Sequence, residues 1–270
     1  KFFMVTKSLD YARERGLDVK RIGDIFCGCG TTALEARRHN IDFWGCDINP
    51  VATLIARVKS ESYNDHRLGM YYDKVIGRYD RIHDADLPDL HINPRIAYWF
   101  EPGQIRDLYH LLNSIQSEVP AGKYRNFFLV AFSNILKGTS KWLSKSIKPQ
   151  QDPNKALRPV RDTFERQVKQ MRRANTEAQS TFKSDSDIII KTANFLKFND
   201  KWPKVDAIIT SPPYVTSYEY ADIHQLSTLW LGYVDDYREL RRGTIGSKKD
   251  VRMTQHMVNS LNEVGKAIYY

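Results

Sequence analysis

The fold is decided by the stretch Asp24-Ile25-Phe26-Cys27-Gly28-Cys29-Gly30-Thr31-Thr32-Ala33. It contains the pattern Gly-x-Gly-x-x-Ala between an apolar segment with strand character and a segment with helical spacing. Glycines at these positions permit a tight turn and a close approach of the backbone to a ligand. The start of a helix offers free N–H groups to a negative group. The stretch therefore predicts a strand–turn–helix unit that binds a ligand at its turn.

The segments around this turn alternate between strand and helix. The predicted strands are 21–26, 41–46, 187–191 and 205–210, and the predicted helices near them are 8–15, 31–39 and 49–59. This order is typical of a doubly wound α/β fold with a parallel sheet. Because no strand is predicted after Thr210, we expect further strands beyond Tyr270 or in another chain. The absence of an initiator Met likewise predicts a start upstream of Lys1.

An acidic residue, Asp47, ends the second predicted strand. A carboxylate at this position accepts both hydroxyl protons of a ribose. Together with the glycine turn, Asp47 indicates a nucleoside cofactor. The spacing alone permits NAD as well as S-adenosylmethionine, so the choice depends on a second motif.

The middle of the chain has a different character. From about Ser60 to Ser184 no strand alternates with helix, and the helices predicted there are 104–118, 124–136 and 161–173. The first two resemble a helical hairpin around the turn Pro120-Ala121-Gly122. Tyr98-Trp99-Phe100, just before the hairpin, is apolar enough to belong to a core. The sequence therefore predicts a long, mainly helical insertion.

The chain is basic, with 41 lysines and arginines against 32 acids and a net charge of +9. Such a balance favours a polyanionic partner or an acidic membrane surface. The excess is local, because ten lysines and arginines but three acids lie between Lys141 and Arg173. This segment is either a phosphate-contacting surface or a solvated helical face. No run of about eighteen apolar residues exists, so no membrane span and no membrane partner are expected.

The second motif is Thr210-Ser211-Pro212-Pro213-Tyr214, where two consecutive prolines must end the last predicted strand. Combined with Asp-x-Phe-x-Gly-x-Gly-Thr-Thr from Asp24, it resembles the amino-methylating DNA methyltransferases of restriction-modification systems. The Ser-Pro-Pro-Tyr form resembles the branch that methylates N4 of cytosine. The branch that methylates N6 of adenine more often has Asn or Asp at the first position.

The resemblance implies a fold and a division of the chain. The fold is a Rossmann-like, S-adenosyl-L-methionine-dependent methyltransferase sheet, built from residues 1–60 and 185–270. Residues 61–184 form the helical, basic insertion and are the candidate region for target recognition. An insertion between the second and third strands is not where this family would be expected to carry one.

The resemblance also implies cofactor contacts. Asp24 would lie near the methionine amine, Thr31 near its carboxylate and Asp47 at the ribose. Asn194 stands where the family usually has an Asp near the adenine amine. The tail of the family's N-terminal cofactor motif resembles Lys1-Phe2-Phe3. The other expected cofactor contacts are Phe26, Gly28, Gly30, Ile48 and Phe195.

The expected catalytic loop consists of Ser211, Pro212, Pro213 and Tyr214. An exocyclic amine is a poor nucleophile because its lone pair is delocalised into the ring. Ser211 Oγ and the Pro212 carbonyl would accept hydrogen bonds from the amine, and the prolines fix φ so that these acceptors are pre-positioned. Tyr214 would stack on the flipped-out base. The candidate DNA contacts are Lys141, Lys145, Lys148, Arg158, Arg161, Arg172 and Arg173.

Several alternatives remain open at this stage. The acceptor is N4 of cytosine, N6 of adenine in DNA, or an amine in RNA. A more remote alternative is an NAD-dependent oxidoreductase, and another is a non-catalytic DNA-binding subunit that depends on a partner.

The expected partners are double-stranded DNA and a cognate restriction endonuclease or partner subunit. Cys27, Cys29 and Cys46 lack the spacing of a disulfide framework or a metal site, which indicates a reducing cytosol and no metal. The resemblance implies that this cytosol is prokaryotic and that the protein associates with the nucleoid.

Overall fold

The structure of the chain is a computed structural model that describes residues 2–82, 85, 87–88, 91–143, 149–182, 186–197, 203–212 and 220–241. These residues divide into two compact units. The first unit contains the described residues up to Ser60, those from Thr181 to Ala221, and those from Arg238. The second unit contains the described residues of Glu61–Ser180 and Asp222–Tyr237.

The described strands are β1 (Arg21–Asp24), β2 (Asp42–Asp47), β3 (Ile188–Thr192) and β4 (Ala207–Ile208). The described helices are α1 (Phe2–Glu14), α2 (Thr31–His39), α3 (Pro50–Ser60), α4 (Asp65–Ile82), α5 (Pro94–Trp99), α6 (Pro102–Glu118), α7 (Lys123–Ile135), α8 (Val160–Gln179), α9 (Tyr220–Ile223) and α10 (Gln225–Trp230). Two 3₁₀ helices span Phe195–Lys197 and Tyr237–Arg241.

All four strands are parallel and lie in the order β3-β2-β1-β4. Ile22 in the centre of β1 pairs with Phe43 on one side and with Ala207 on the other. The chain therefore leaves β1 in one direction and returns, after β3, to the opposite side of β1. This reversal is the switch point of a doubly wound sheet. The predicted Rossmann-like α/β fold is confirmed.

Two strands are shorter than their predicted bounds, and hydrogen bonds explain why. β1 ends at Asp24 because the Phe26 N–H turns back to Asp24 Oδ1 at 3.1 Å. Around β4, the Asp206 N–H donates to the Arg21 carbonyl at 2.9 Å and the Ile209 N–H to the Gly23 carbonyl at 3.0 Å. The pairing with β1 thus continues beyond the two residues of regular strand.

The first unit has its own apolar core beside the sheet. Ile22, Phe43 and Ile190 contribute from three neighbouring strands, and α1 adds Val5 and Leu9. The helix α1 begins six residues before the predicted 8–15 helix, because the turn that contains Val5 also presents an apolar face to this core.

The second unit is helical and has a separate core rich in aromatic side chains. Its largest fully buried side chains include Trp99, Trp142, Phe100, Phe127, Phe128, Phe132 and Phe164. Tyr98 is 47% exposed, so only two of the three residues in Tyr98-Trp99-Phe100 belong to the core. The helices α6 and α7 pack against each other across the turn that was predicted between them.

Two features of this unit were not anticipated from the sequence. The helix α4, whose buried side chains include Leu68 and Val75, packs on α6, although Gly69 and Gly77 lower its intrinsic helical propensity. The segment Asp222–Tyr237 also belongs to this unit, whereas the sequence placed it with the catalytic region. Among the described residues, no helix is long and apolar enough to cross a membrane.

Candidate functional site

The candidate site lies at the carboxyl edge of the sheet, within the first unit. Asp24 ends β1, Asp47 ends β2, and Thr210 follows β4 on the other side of β1. Because all strands are parallel, their carboxyl ends meet at one edge, and ligands bind there beside the switch point. The sheet therefore brings the glycine turn, both predicted carboxylates and the start of the predicted catalytic loop to the same edge.

The glycine turn has a backbone conformation that residues other than glycine rarely adopt. Gly28 and Gly30 have φ angles of 47° and 74°, both in the left-handed region. A Cβ at Gly30 would lie 2.6 Å from Ala56 Cβ, so α3 packs directly against this turn. A Cβ at Gly28 would meet nothing within 4 Å, so open space lies over that residue. Gly30 is required by packing, and Gly28 leaves room for a ligand.

Asp47 is held in place by backbone groups. Its Oδ2 accepts the Gly28 N–H at 2.9 Å and its Oδ1 accepts the Asn49 N–H at 2.8 Å. Burial raises the pKa of Asp47, and the backbone hydrogen bonds from Asn49, Gly28 and Ile48 oppose this rise. A carboxylate has about four acceptor sites in all. Asp47 therefore keeps at least one acceptor site for a ligand, while the turn fixes its orientation.

Asp24 connects the carboxyl end of β1 to the segment after β4. The Thr210 Oγ1 hydroxyl donates to Asp24 Oδ1 at 2.7 Å. Asp24 is 4% exposed, and this burial raises its pKa. Hydrogen bonds from Thr210, Thr32 and the Phe26 N–H lower the pKa of Asp24, whereas the nearby charge of Asp47 raises it. The two carboxylates thus form one negatively charged corner of the site.

The predicted catalytic loop is described only at its start. Ser211 and Pro212 are exposed and follow Thr210 directly, so they leave the sheet at the same edge as the two carboxylates. Pro213 and Tyr214 lie outside the described residues. The acceptors expected in the loop, Ser211 Oγ and the Pro212 carbonyl, belong to its described part.

The remaining predicted cofactor residues fall into three groups. Phe26 packs against an apolar cluster that contains Phe195, beyond the carboxyl end of β3. Thr31 is the first residue of α2, and Ile48 follows Asp47 directly; both are partly exposed. Phe2 and Phe3 begin α1 and are 63% and 53% exposed, and Lys1 lies outside the described residues.

Asn194 has a local role in the structure. Its Oδ1 accepts the Leu196 N–H at 2.9 Å and its carbonyl accepts the Lys197 N–H at 3.1 Å. The side chain therefore begins the 3₁₀ helix that carries Phe195. An Asn keeps a second acceptor site on Oδ1 and an amide donor that the usual Asp lacks.

Cys27 and Cys46 are buried thiols. Burial raises the pKa of Cys27, and it raises the pKa of Cys46 to about 12, so both thiols are protonated at neutral pH. Across the described ranges, no group of three or more His, Cys, Asp and Glu side chains could hold a metal ion.

Several of the predicted DNA-contacting residues are engaged in ion pairs. Arg161 donates to both carboxylate oxygens of Asp80, at 2.7 and 2.9 Å. Arg172 donates to both of Asp65, at 2.7 and 2.6 Å. Lys141 Nζ lies 2.9 Å from Glu101.

Two of the other four predicted DNA contacts belong to the described residues. Arg158 and Arg173 are exposed and form no ion pair among the described residues, and Lys145 and Lys148 lie outside those residues.

Two residues of the site were missed from the sequence. The sequence identifies Thr210 only as the first residue of the loop motif, and Asn49 only as the first residue of the predicted helix 49–59. Asn49 Oδ1 accepts the N–H groups of Val51 and Ala52 at 3.0 and 3.2 Å, which caps α3. The sequence Asp47-Ile48-Asn49-Pro50 places an acid two residues before the N-cap of α3, and this spacing could have indicated Asn49.

Neither a protein-family model nor a solved structure matches the chain. Over 264 residues the chain is 25% identical to the type II methyltransferase M.MvaI of Kocuria varians. The alignment covers 86% of this chain and 56% of that protein. The chain therefore spans about half the length of the curated relative that it matches. Over most of its own length, it is similar to a type II methyltransferase.

Proposed function

We propose that this chain carries the cofactor site and catalytic loop of a DNA methyltransferase that transfers a methyl group from S-adenosyl-L-methionine to the N4 amine of cytosine. The observation that carries the proposal is the shared sheet edge. Asp24 and Asp47 lie there beside the Thr210-Ser211-Pro212 segment, and the Thr210 hydroxyl bonds Asp24 at 2.7 Å.

The charge of the site favours S-adenosylmethionine over NAD. Two carboxylates, Asp24 and Asp47, end neighbouring strands, and the charge of Asp47 raises the pKa of Asp24. NAD would bring a diphosphate, an anion, to this turn. S-adenosylmethionine brings an ammonium and a sulfonium, and opposite charges attract more strongly at a partly buried site than in water. The cationic cofactor therefore fits the side chains that are present.

Each part of the cofactor has a partner of suitable chemistry. The methionine amine would donate to Asp24 and the ribose hydroxyls to Asp47, whose oxygens are already oriented by Gly28 and Asn49. Backbone N–H groups at the start of α2, beside Thr31, suit the methionine carboxylate. The apolar cluster with Phe26 and Phe195 suits the flat adenine ring.

The loop residues act on the target amine. The bound cofactor supplies an electrophilic methyl group on sulfur. Ser211 Oγ and the Pro212 carbonyl would accept hydrogen bonds from the amine, so that its lone pair is held on nitrogen and faces the methyl group. The amine loses a proton to water after methylation. Ser211 at the head of the motif supports cytosine N4 as the acceptor, and similarity to a type II methyltransferase supports DNA as the substrate.

The proposal is tested by nucleoside mass spectrometry of DNA incubated with the full-length protein and S-adenosylmethionine. We expect N4-methylcytosine. Ser211→Ala should slow methyl transfer at least 100-fold, a loss of about 2.7 kcal/mol or more that is typical of a removed transition-state hydrogen bond, with little change in cofactor affinity. Asp47→Ala should mainly weaken cofactor binding.

Other outcomes would overturn distinct parts of the proposal. N6-methyladenine alone, or methylation of RNA alone, would contradict the assignment of the acceptor. Calorimetry that detects NAD but not S-adenosylhomocysteine binding would contradict the cofactor. Activity that requires a second chain would mean that this protein acts as a subunit with a partner.

A further inference from the structure

We propose that DNA phosphates bind to a cluster of Lys137, Lys155 and Arg158, at the end of α7, rather than along α8. We call these three residues the Lys137 cluster. The inference rests on the proposed function, because it names the surface of the second unit that contacts the DNA. It differs from the sequence-based expectation, which included Arg158 but neither Lys137 nor Lys155 and placed Arg161, Arg172 and Arg173 of α8 among the contacts.

Three of the five basic side chains of α8 (Arg161, Lys169 and Arg172) pair with neighbouring acids. Arg161 forms its two-point contact with Asp80 and also lies 3.5 Å from Glu165. Lys169 Nζ lies 2.5 Å from Glu165. A basic group that already pairs with a carboxylate must lose that partner before it can pair with a phosphate. With Arg172 also paired, α8 presents much less unpaired positive charge than its sequence suggests.

The Lys137 cluster is held together by specific contacts. Lys155 Nζ donates to the carbonyls of Lys137 and Trp142, at 2.6 and 2.7 Å. Lys137 Nζ lies 4.6 Å from the centre of the Trp142 ring, which is itself fully buried. The Arg158 side chain lies over Gly138, because Arg158 Cδ is 3.6 Å from the point where a Cβ on Gly138 would lie. Three cationic side chains therefore converge on one short stretch of backbone.

Acidic side chains of the described residues compensate little of this positive charge. Among the described residues none of the three cluster side chains forms an ion pair, and Asp152 is the only carboxylate whose charge affects Lys155. Partial burial lowers the pKa of Lys137 and of Lys155, and the charge of Arg158 lowers the pKa of Lys155 further.

The surroundings of the cluster respond to the same charge. The pKa of the partly buried His224 is lowered to about 4, first by burial and then by the charge of Lys137. A bound phosphate would neutralise this uncompensated charge, whereas the paired side chains Arg161, Lys169 and Arg172 of α8 offer little such gain.

The geometry suits a phosphate in particular. Lys155 uses two of its three N–H donors on carbonyls and keeps one, while Lys137 and Arg158 are exposed to solvent. Phosphate oxygens accept hydrogen bonds from several cationic donors at once. In the sequence, Lys145 and Lys148 lie between the two chain segments that form the cluster.

The test compares how strongly DNA binding by two variants depends on salt. Binding is measured by fluorescence anisotropy of a labelled duplex between about 50 and 200 mM KCl, a range over which phosphate contacts change the affinity strongly. The test variant is Lys137→Gln/Arg158→Gln. The matched control is Arg161→Gln/Lys169→Gln, which removes the same number of charges from α8. Each phosphate contact contributes about 0.9 to the slope of log K against log salt. We expect the test variant to lower the slope by about 1 to 2 and the control to leave it nearly unchanged.

Additional measurements separate charge from folding. The charge-preserving pair Lys137→Arg/Arg158→Lys should retain the wild-type slope. Circular dichroism and S-adenosylhomocysteine binding should be the same in all variants. If the control lowers the slope as much as the test variant does, or if the test variant leaves it unchanged, the inference is wrong.

Two outcomes concern the partner itself. Phosphate contacts are strong at low salt, about 50 mM KCl. If the wild type binds the cofactor but no duplex under this condition, the proposal of a DNA substrate is wrong, and the inference is wrong with it. If the wild type binds vesicles of phosphatidylserine and phosphatidylcholine through these residues but does not bind DNA, the cluster is a lipid-headgroup site and the inference is overturned.

Discussion

At the scale of single residues, the hydroxyl of Thr210 connects two parts of the site that are far apart in the sequence. It bonds Asp24 across the switch point between β1 and β4, one residue before Ser211. The hydrogen bond also lowers the pKa of Asp24, which burial raises. Thr210 is therefore a positioning residue that orients the start of the loop relative to the acid expected to bind the methionine amine.

Thr210→Val should weaken the site while preserving its shape. A hydrogen bond to a charged group contributes about 1.5–3 kcal/mol, so cofactor affinity or the methylation rate should fall about 10- to 100-fold. Without this donor the pKa of Asp24 rises further. Binding that needs the charged carboxylate is lost as pH falls through this pKa, so acid should weaken S-adenosylhomocysteine binding at a higher pH in the variant.

The matched control for this prediction is Thr210→Ser, which keeps the hydroxyl. We expect it to show the acid limb and the affinity of the wild type. Calorimetric titrations from acid to neutral pH make the comparison. Identical profiles for the valine and serine variants would mean that the hydrogen bond does not contribute to cofactor binding.

At the scale of elements, the turn between β1 and α2 uses its two glycines differently. Both have a left-handed φ, but only Gly30 lies against another element, at Ala56 in α3. Gly28 faces open space. Gly28 therefore limits what can bind at the turn, and Gly30 limits how closely α2 and α3 can pack.

Gly30→Ala should mainly reduce stability, and Gly28→Ala should mainly reduce cofactor affinity. Gly30→Ala combines the strain of a left-handed φ with overpacking against Ala56, together about 2–5 kcal/mol. Gly28→Ala adds only the strain, about 1–2 kcal/mol, and places a methyl group where the ligand is expected. Thermal unfolding and S-adenosylhomocysteine titration of both variants give the comparison. Equal losses of stability would contradict the difference in packing.

At the scale of the whole molecule, the chain builds two cores. Ile22, Phe43 and Ile190 belong to the sheet unit, whereas Phe132 and Phe164 are buried in the helical unit. The candidate cofactor site lies entirely within the sheet unit. The candidate DNA-contacting cluster lies entirely within the helical unit.

We expect calorimetry to resolve two unfolding transitions. S-adenosylhomocysteine at about 100 times its Kd should stabilise the sheet unit by about 2.7 kcal/mol and shift only one transition. Phe132→Ala should destabilise the helical unit by about 3–5 kcal/mol and shift the other. A single transition that moves with both changes would show that the two units unfold together.

The sequence by itself determined the α/β class, the glycine turn and the positions of Asp24, Asp47 and Ser211. These follow from local rules, because glycine conformations, proline breaks and apolar periodicity act over a few residues. These local rules did not predict the helix α4, because Gly69 and Gly77 lower its helical propensity. Its packing on α6 stabilises it instead.

Only the tertiary structure decided which residues meet. The strand order β3-β2-β1-β4 brings Thr210 to Asp24, which lies 186 residues away in the sequence. Tertiary contacts also pair Arg161 and Arg172 of α8 with Asp80 and Asp65 of α4, so these two members of the basic run carry less unpaired charge in the fold than the sequence suggests. Strand order and ion pairing both depend on contacts between distant segments, and composition and spacing carry no record of these contacts.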